Sequence, residues 1–159
     1  MFSWLVNTVF GKFISTLILS MLPVVELRLG LPYGIALGLD YPLALLAAVA
    51  GNMLPVPFIV VYIRNFFLWI RRHWAALDGM VTRIENRAHL KSERVNKYGA
   101  LGLFVFVAIP LPGTGAWTGA LIAALLDMRV KHALPSIFLG VITAAAIMTG
   151  LTFGIIHIV

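Results

Sequence analysis

The sequence predicts an all-α integral membrane protein: an inverted repeat of a re-entrant helical hairpin followed by a transmembrane helix. Composition gives the solvent. With 61% hydrophobic and 11% charged residues and a mean hydropathy of +0.99, a soluble domain of this length could not cover its surface with polar groups. Charge-free runs give the class. Tyr41 to Ile63, Gly99 to Leu126 and Ala133 to Val159, the last interrupted only by His157, each suffice for a hydrocarbon core that needs about 20 helical residues. Strand alternation of the outer-membrane barrel kind is absent. Recurring breaks give the repeat. Leu22-Pro23 opens a segment closing at Leu39-Asp40, and Ile109-Pro110 opens one closing at Leu126-Asp127, both landmarks recurring at an offset of 87 residues.

One membrane domain, 1–159, holds all of this. Residues 2–21 read as a first helix retained in the membrane, since Lys12 precedes an apolar run with no small-residue cleavage site after it. Residues 22–40 read as the first re-entrant hairpin. Residues 43–70 read as a transmembrane helix bent between Asn52 and Pro57, because Pro55 and Pro57 lack backbone donors.

Residues 71–98 form a polar amphipathic segment. Its seven basic residues against three acids between Arg71 and Lys97 hold +4 of the net +6, which places it in the cytoplasm by the positive-inside rule. The charge therefore points to lipid and not to nucleic acid. Trp74, Leu77, Val81, Ile84, Ala88, Val95 and Tyr98 share one helical face. That face fits either a helix lying on the membrane surface or a solvated linker that fixes topology.

Residues 99–126 are broken at their middle by Pro110-Leu-Pro-Gly-Thr-Gly115. Each half is about 11 residues, roughly 16 Å of helix, or half a bilayer. Arg129, Lys131 and His132 restore positive charge immediately afterwards. A second re-entrant hairpin that enters and leaves on the cytoplasmic side satisfies both facts, and 133–157 then crosses outward. The first hairpin, as the inverted copy, enters from outside.

Glu26 and Arg28 are the least comfortable residues in an apolar chain. An ionisable group near the bilayer centre costs about 2.5–3.5 kcal/mol on insertion scales and is a functional candidate by default. In an extended break, encouraged by Gly30 and Pro32, the two would project to the same side. They form either a binding site or an internal salt bridge. Pro32 suits the first position of the second half-helix, and Thr114 suits the cap of a half-helix running from Gly115 to Leu126. Such N-termini, with Gly113 and Gly115 allowing close approach, offer backbone donors to an anion. Pro110, Pro112 and Trp117 complete the candidate substrate-binding set. A second tier comprises Asn52, which can hydrogen-bond another helix, Asp40 and Asp127 at hairpin ends, and Arg129 beside the second hairpin. The series Gly30, Gly34 and Gly38, with Gly115 and Gly119, permits close helix packing or dimerisation.

No enzyme signature is present: G-x-S-x-G, H-E-x-x-H and Walker sequences are missing, the histidines are scattered, and there is no cysteine. No catalytic residue, metal or cofactor is expected.

Met21-Leu-Pro-Val-Val-Glu-Leu-Arg28, Leu31-Pro-Tyr-Gly-Ile35, Gly51-Asn-Met-Leu-Pro-Val-Pro-Phe58, Lys97-Tyr-Gly-Ala-Leu-Gly102 and Ala108-Ile-Pro-Leu-Pro-Gly-Thr-Gly-Ala-Trp-Thr-Gly119 resemble the small multidrug export protein family over nearly the whole chain. Leu29 departs from the pattern by separating Arg28 from Gly30. In outline that family is similar to the DedA superfamily of inner-membrane proteins. The resemblance implies a transporter or flippase in a bacterial or archaeal inner membrane, acting as a homodimer on an anionic lipid-phosphate substrate with proton coupling through Glu26. Efflux of cationic amphiphiles and a non-transporting membrane scaffold are the alternatives.

Overall fold

The computed structural model describes residues 7–111 and 113–156, and the described chain is helical with no strand. Its helices are α1 (Val9–Met21), α2 (Glu26–Ala36), α3 (Tyr41–Met53), α4 (Val56–His73), α5 (Asp78–Ala108), α6 (Ala116–Leu125) and α7 (Val130–Ile156), with a 3₁₀ turn at Ala75–Leu77.

Two stretches, Tyr41–His73 and Val130–Gly154, are long and apolar enough to cross a membrane. The first is α3 and α4 placed end to end. Pro55 and Pro57 withhold the N–H groups that the Gly51 and Met53 carbonyls would accept in an unbroken helix, and the ladder is interrupted there. The two spans run antiparallel. Tyr41, at the start of α3, hydrogen-bonds Thr149 near the end of α7 at 2.9 Å and meets the ring of Phe153 edge-on.

Two helical hairpins pack against these spans. In the first, α1 and α2 lie antiparallel because small residues face each other. A Cβ on Gly30 would strike Ser20 Oγ, and one on Gly34 would come within 2.9 Å of Thr16 Oγ1. Ser20 and Thr16 turn their hydroxyls back onto their own helix, to Thr16 O and Lys12 O, both at 2.8 Å, so burying them strands no donor. In the second hairpin, the apolar end of α5 (100–108) packs on α6, where a Cβ on Gly119 would come 2.6 Å from Val107. Gly30, Gly34 and Gly119 are thus consumed by packing within the chain. At 13 and 10 residues, α1 and α6 are about 20 and 15 Å long, too short to cross a core of about 30 Å.

The first hairpin differs from its sequence reading over 22–40. The break is confined to residues 22–25 and its first arm is α1. Residues 26–36 are not extended, and Pro32 lies inside α2, not at its start. Burial explains the difference. Leu27, Gly30, Leu31 and Gly34 all face the interior, and a helix satisfies backbone groups internally where no water can; only the Arg28 carbonyl loses its donor to Pro32.

Helix α5 bends sharply at Gly99 (φ 56°, ψ −128°). Its polar arm folds back along the bundle. Val81, Ala88 and Val95, at heptad spacing, are buried, Val81 against Phe67 and Ile70 of α4. Arg71 ties the arm to α4 through Asp78 (2.8 Å) and Glu85 (2.6 Å). The apolar face thus turns toward the protein, while Trp74 and Tyr98 at its ends stay exposed.

The hairpins repeat one local design. Glu26 (φ 49°) and Gly115 (φ 117°), 89 residues apart, both have left-handed φ where the second arm begins. Gly38 (φ 74°) and Asp127 (φ 53°), also 89 apart, end those arms. Leu39 N bonds Gly34 O and Met128 N bonds Ala123 O, so both arms close on the same αL cap. These backbone landmarks are spaced by 89 and not 87, and Asp127 takes the cap position that Gly38 takes in the first hairpin, which Asp40 does not.

Candidate functional site

The hairpin tips meet, and each tip satisfies the polar groups exposed by the other. Glu26 is 5% exposed, and its carboxylate accepts a hydrogen bond from Trp117 N at 3.2 Å. An acid from α2 therefore caps the N-terminus of α6, where unpaired N–H groups and the helix dipole favour negative charge. Gly115 makes room, since a Cβ there would strike Glu26 Oε2. In the other direction, Arg28 donates to the Leu111 carbonyl and to Thr114 Oγ1 at 2.7 Å. The indole of Trp117 then donates to Met21 O, at the open C-terminal end of α1, at 2.9 Å. Four hydrogen bonds thus join residues more than 80 positions apart.

Several sequence expectations change here. Glu26 and Arg28 do not pair with each other: among the described residues the ion pairs are Arg64–Asp127, Arg71–Asp78 and Arg71–Glu85. Two residues apart at the start of a helix, the two side chains diverge, and each reaches a different part of the opposite tip. Thr114 does not cap α6, whose N-cap is Gly115 without a side-chain bond of its own. Its hydroxyl instead engages the Ile109 and Leu111 carbonyls, both at 2.7 Å, and holds the loop closed. The α6 N-terminus, expected to be open to an external anion, already holds a carboxylate.

Gly30 and Pro32 lie on α2 behind the tip, while Pro110 lies in the opposite break; Pro112 lies outside the described residues. Asn52 is buried close by, yet its Oδ1 has no partner, so the expected contact to another helix is absent. Asp40 and Arg129 are exposed away from the tips. Asp127 is exposed too and pairs with Arg64 of α4.

One residue that the sequence reading missed is Lys91. Its ammonium reaches the Gly113 carbonyl, so a cation from the polar arm and Arg28 grip the same loop. Only the reversal at Gly99 brings it there, and nothing in the spacing of residues 78–98 marks it. Beside it opens a groove of about 650 Å³ between the arms of α5, with Leu101, Val105 and Phe106 on its wall and Lys91 and Thr114 toward the tip. Glu93 lies at its other end, shared with a shallower depression beside His89 and Ser92.

The Trp117 link can be weighed separately. Trp117→Phe keeps the ring and removes the indole donor, leaving Met21 O bare. The expected loss is about 1–2 kcal/mol of unfolding free energy, checked by thermal melts of the purified protein in detergent, with the fold retained.

No curated protein and no solved structure matches the chain. A family-level sequence model does match, over residues 26–147, which takes in Glu26 and Arg28, the second hairpin tip, the first span and most of the second. With most of its length covered, the chain belongs to the membrane-protein family described as "Putative small multi-drug export protein".

Proposed function

We propose that this protein is an inner-membrane transporter in which two re-entrant hairpins, inserted from opposite faces, alternately open around an anionic amphiphile of lipid-phosphate type. The observation that carries this reading is the reciprocal tie between the tips, Glu26 on α6 and Arg28 on the 109–115 loop. Each contact is one that a phosphate group competes for. It carries the same charge as the Glu26 carboxylate toward α6 and accepts the same donors from Arg28 and Lys91. Protonation of Glu26 weakens its hold on the helix dipole and loosens the tie, which is how a proton is coupled to opening. The groove at Lys91 accommodates an apolar chain, its volume lying in the usual range for small-molecule sites.

Insertion from opposite faces is supported by the ends of the hairpins. Asp127 pairs with Arg64, about two turns before the basic end of α4, whereas Asp40 immediately precedes Tyr41, which lies against the far end of α7. Arg71, Arg72, Arg129 and Lys131 then share the cytoplasmic side. Introduced cysteines check this directly, with no native thiol to interfere. A cysteine at position 40 is expected to label from outside and one at 127 from the cytoplasm; labelling of both from one side excludes the inverted arrangement.

Transport itself is tested by flipping of a fluorescent lipid phosphate in proteoliposomes. Rates are expected to fall at least tenfold for Glu26→Gln and for Arg28→Ala, and rates equal to wild type in both would sink the mechanism. A cationic amphiphile is the second reading, favoured by Glu93, Tyr98 and Phe106 in the groove. Glu26 no longer serves that reading, being committed to α6. A drug-resistance phenotype lost in Glu93→Gln and kept in Glu26→Gln would establish it.

A further inference from the structure

Asn52 Oδ1 is the buried side-chain polar atom left without a partner among the described residues. Asn52 is 3% exposed, in the last turn of α3, directly before the interruption at Pro55. It lines a small cavity with Glu26, Arg28 and Gly115, and the remaining wall, including Val107 and Val141, is apolar. The space open to the centre of a water-sized sphere is about 10 Å³, close to what a single water needs.

The chemistry of the wall narrows the occupant. The Asn52 carbonyl and an ionised Glu26 carboxylate are both acceptors, while the hydrogen bonds that Arg28 makes go to Leu111 and Thr114 on the opposite tip. No donor reaches Asn52 Oδ1, and the Glu26 carboxylate, held by Trp117 N, keeps further lone pairs, so acceptor capacity is left bare in a low-dielectric interior. Something with two hydrogens to give reconciles them. A metal cation fits less well, because Arg28 and the α6 N-terminus already offset the carboxylate, and a further positive charge would be uncompensated inside the bilayer.

We propose that this cavity holds one water molecule, which donates one hydrogen to Asn52 Oδ1 and the other to the Glu26 carboxylate. Asn52 is then a positioning residue that acts on Glu26 through the water. The bridge joins α2, the N-terminus of α6 and the point where the long span is interrupted, so a change in the tip contact reaches the proline interruption through one hydrogen-bonded particle. The site stands on the cavity and the unpartnered amide, independently of what is transported.

A structure of the full chain in lipid nanodiscs, at a resolution that shows ordered water, is the direct test. Density about 2.7–3.2 Å from both Asn52 Oδ1 and a Glu26 oxygen is expected. An empty cavity, or an Asn52 amide turned to donate directly to Glu26, would overturn the proposal. Thermal melts in sodium, potassium and choline chloride are expected to coincide; a rise specific to sodium, lost in Asn52→Leu, would overturn it in favour of a cation. Infrared spectra supply a readout independent of transport. The Glu26 carboxyl band, identified by its loss in Glu26→Gln, is expected to shift in Asn52→Leu, where the apolar side chain expels the water, and to stay near its wild-type position in Asn52→Ser. An unshifted band in a folded Asn52→Leu protein counts against the water.

Discussion

Gly115→Ala is expected to lower the unfolding free energy by about 3–5 kcal/mol. Two costs combine. The backbone at φ 117°, ψ −172° lies in a region that is essentially glycine-only, worth about 1–3 kcal/mol to any other residue. The added Cβ also occupies the place of Glu26 Oε2, so the carboxylate must leave the α6 N-terminus and give up a charged hydrogen bond worth about 1.5–3 kcal/mol. Gly99→Ala is the control. Its backbone, at φ 56°, ψ −128°, is also disfavoured for a side chain, but no atom lies within 4 Å of the new Cβ, and it is expected to lose only the backbone share, about 1–3 kcal/mol. Melts of the two variants in one detergent check the order; equal losses would mean that the Glu26 contact adds nothing to stability.

Substitution of Glu26 itself separates stability from transport. Glu26→Gln keeps an oxygen for Trp117 N and is expected to cost about 1–2 kcal/mol, whereas Glu26→Ala strands that N–H at a buried helix end and is expected to cost about 3 kcal/mol. Glu26→Gly is expected to be about 1 kcal/mol less harmful than alanine, because Glu26 sits at φ 49°, where a side chain is disfavoured. Flipping is expected to be lost in all three. Full flipping in the folded Glu26→Gln protein would remove the carboxylate from the mechanism while leaving its role as a cap intact. That Glu26 occupies a backbone position suited to glycine fits a residue kept for function at the expense of local stability.

The spans, the second break and the presence of two hairpins were legible because bilayer thickness imposes lengths on apolar runs and proline interrupts them. The first hairpin was read less well. Gly30 and Pro32 carry breaker signals that hold in water, but between α1 and α3 the alternative to a helix is an unsatisfied backbone, and the small residues that look like breakers are what let the helices approach. In the candidate site two members were legible as residues, and their contacts were not. Glu26 and Arg28 stand out by charge alone; that they cross to the opposite tip depends on contacts 86 and 91 positions apart. The reversal at Gly99, and with it Lys91, depends on one φ angle that no periodicity encodes.

The correspondence of Glu26 with Gly115 bears on how such a chain could have arisen. Two identical half-length polypeptides, assembled tip to tip, would bring the same residue to both positions. Two glycines would leave both helix ends uncapped, and two glutamates would press a pair of anions into room for one, since the Glu26 carboxylate fills the space beside Gly115. A covalently joined pair escapes the dilemma, because each half is free to mutate alone. At the tip contact, therefore, Glu26 and Gly115 are complementary and not interchangeable.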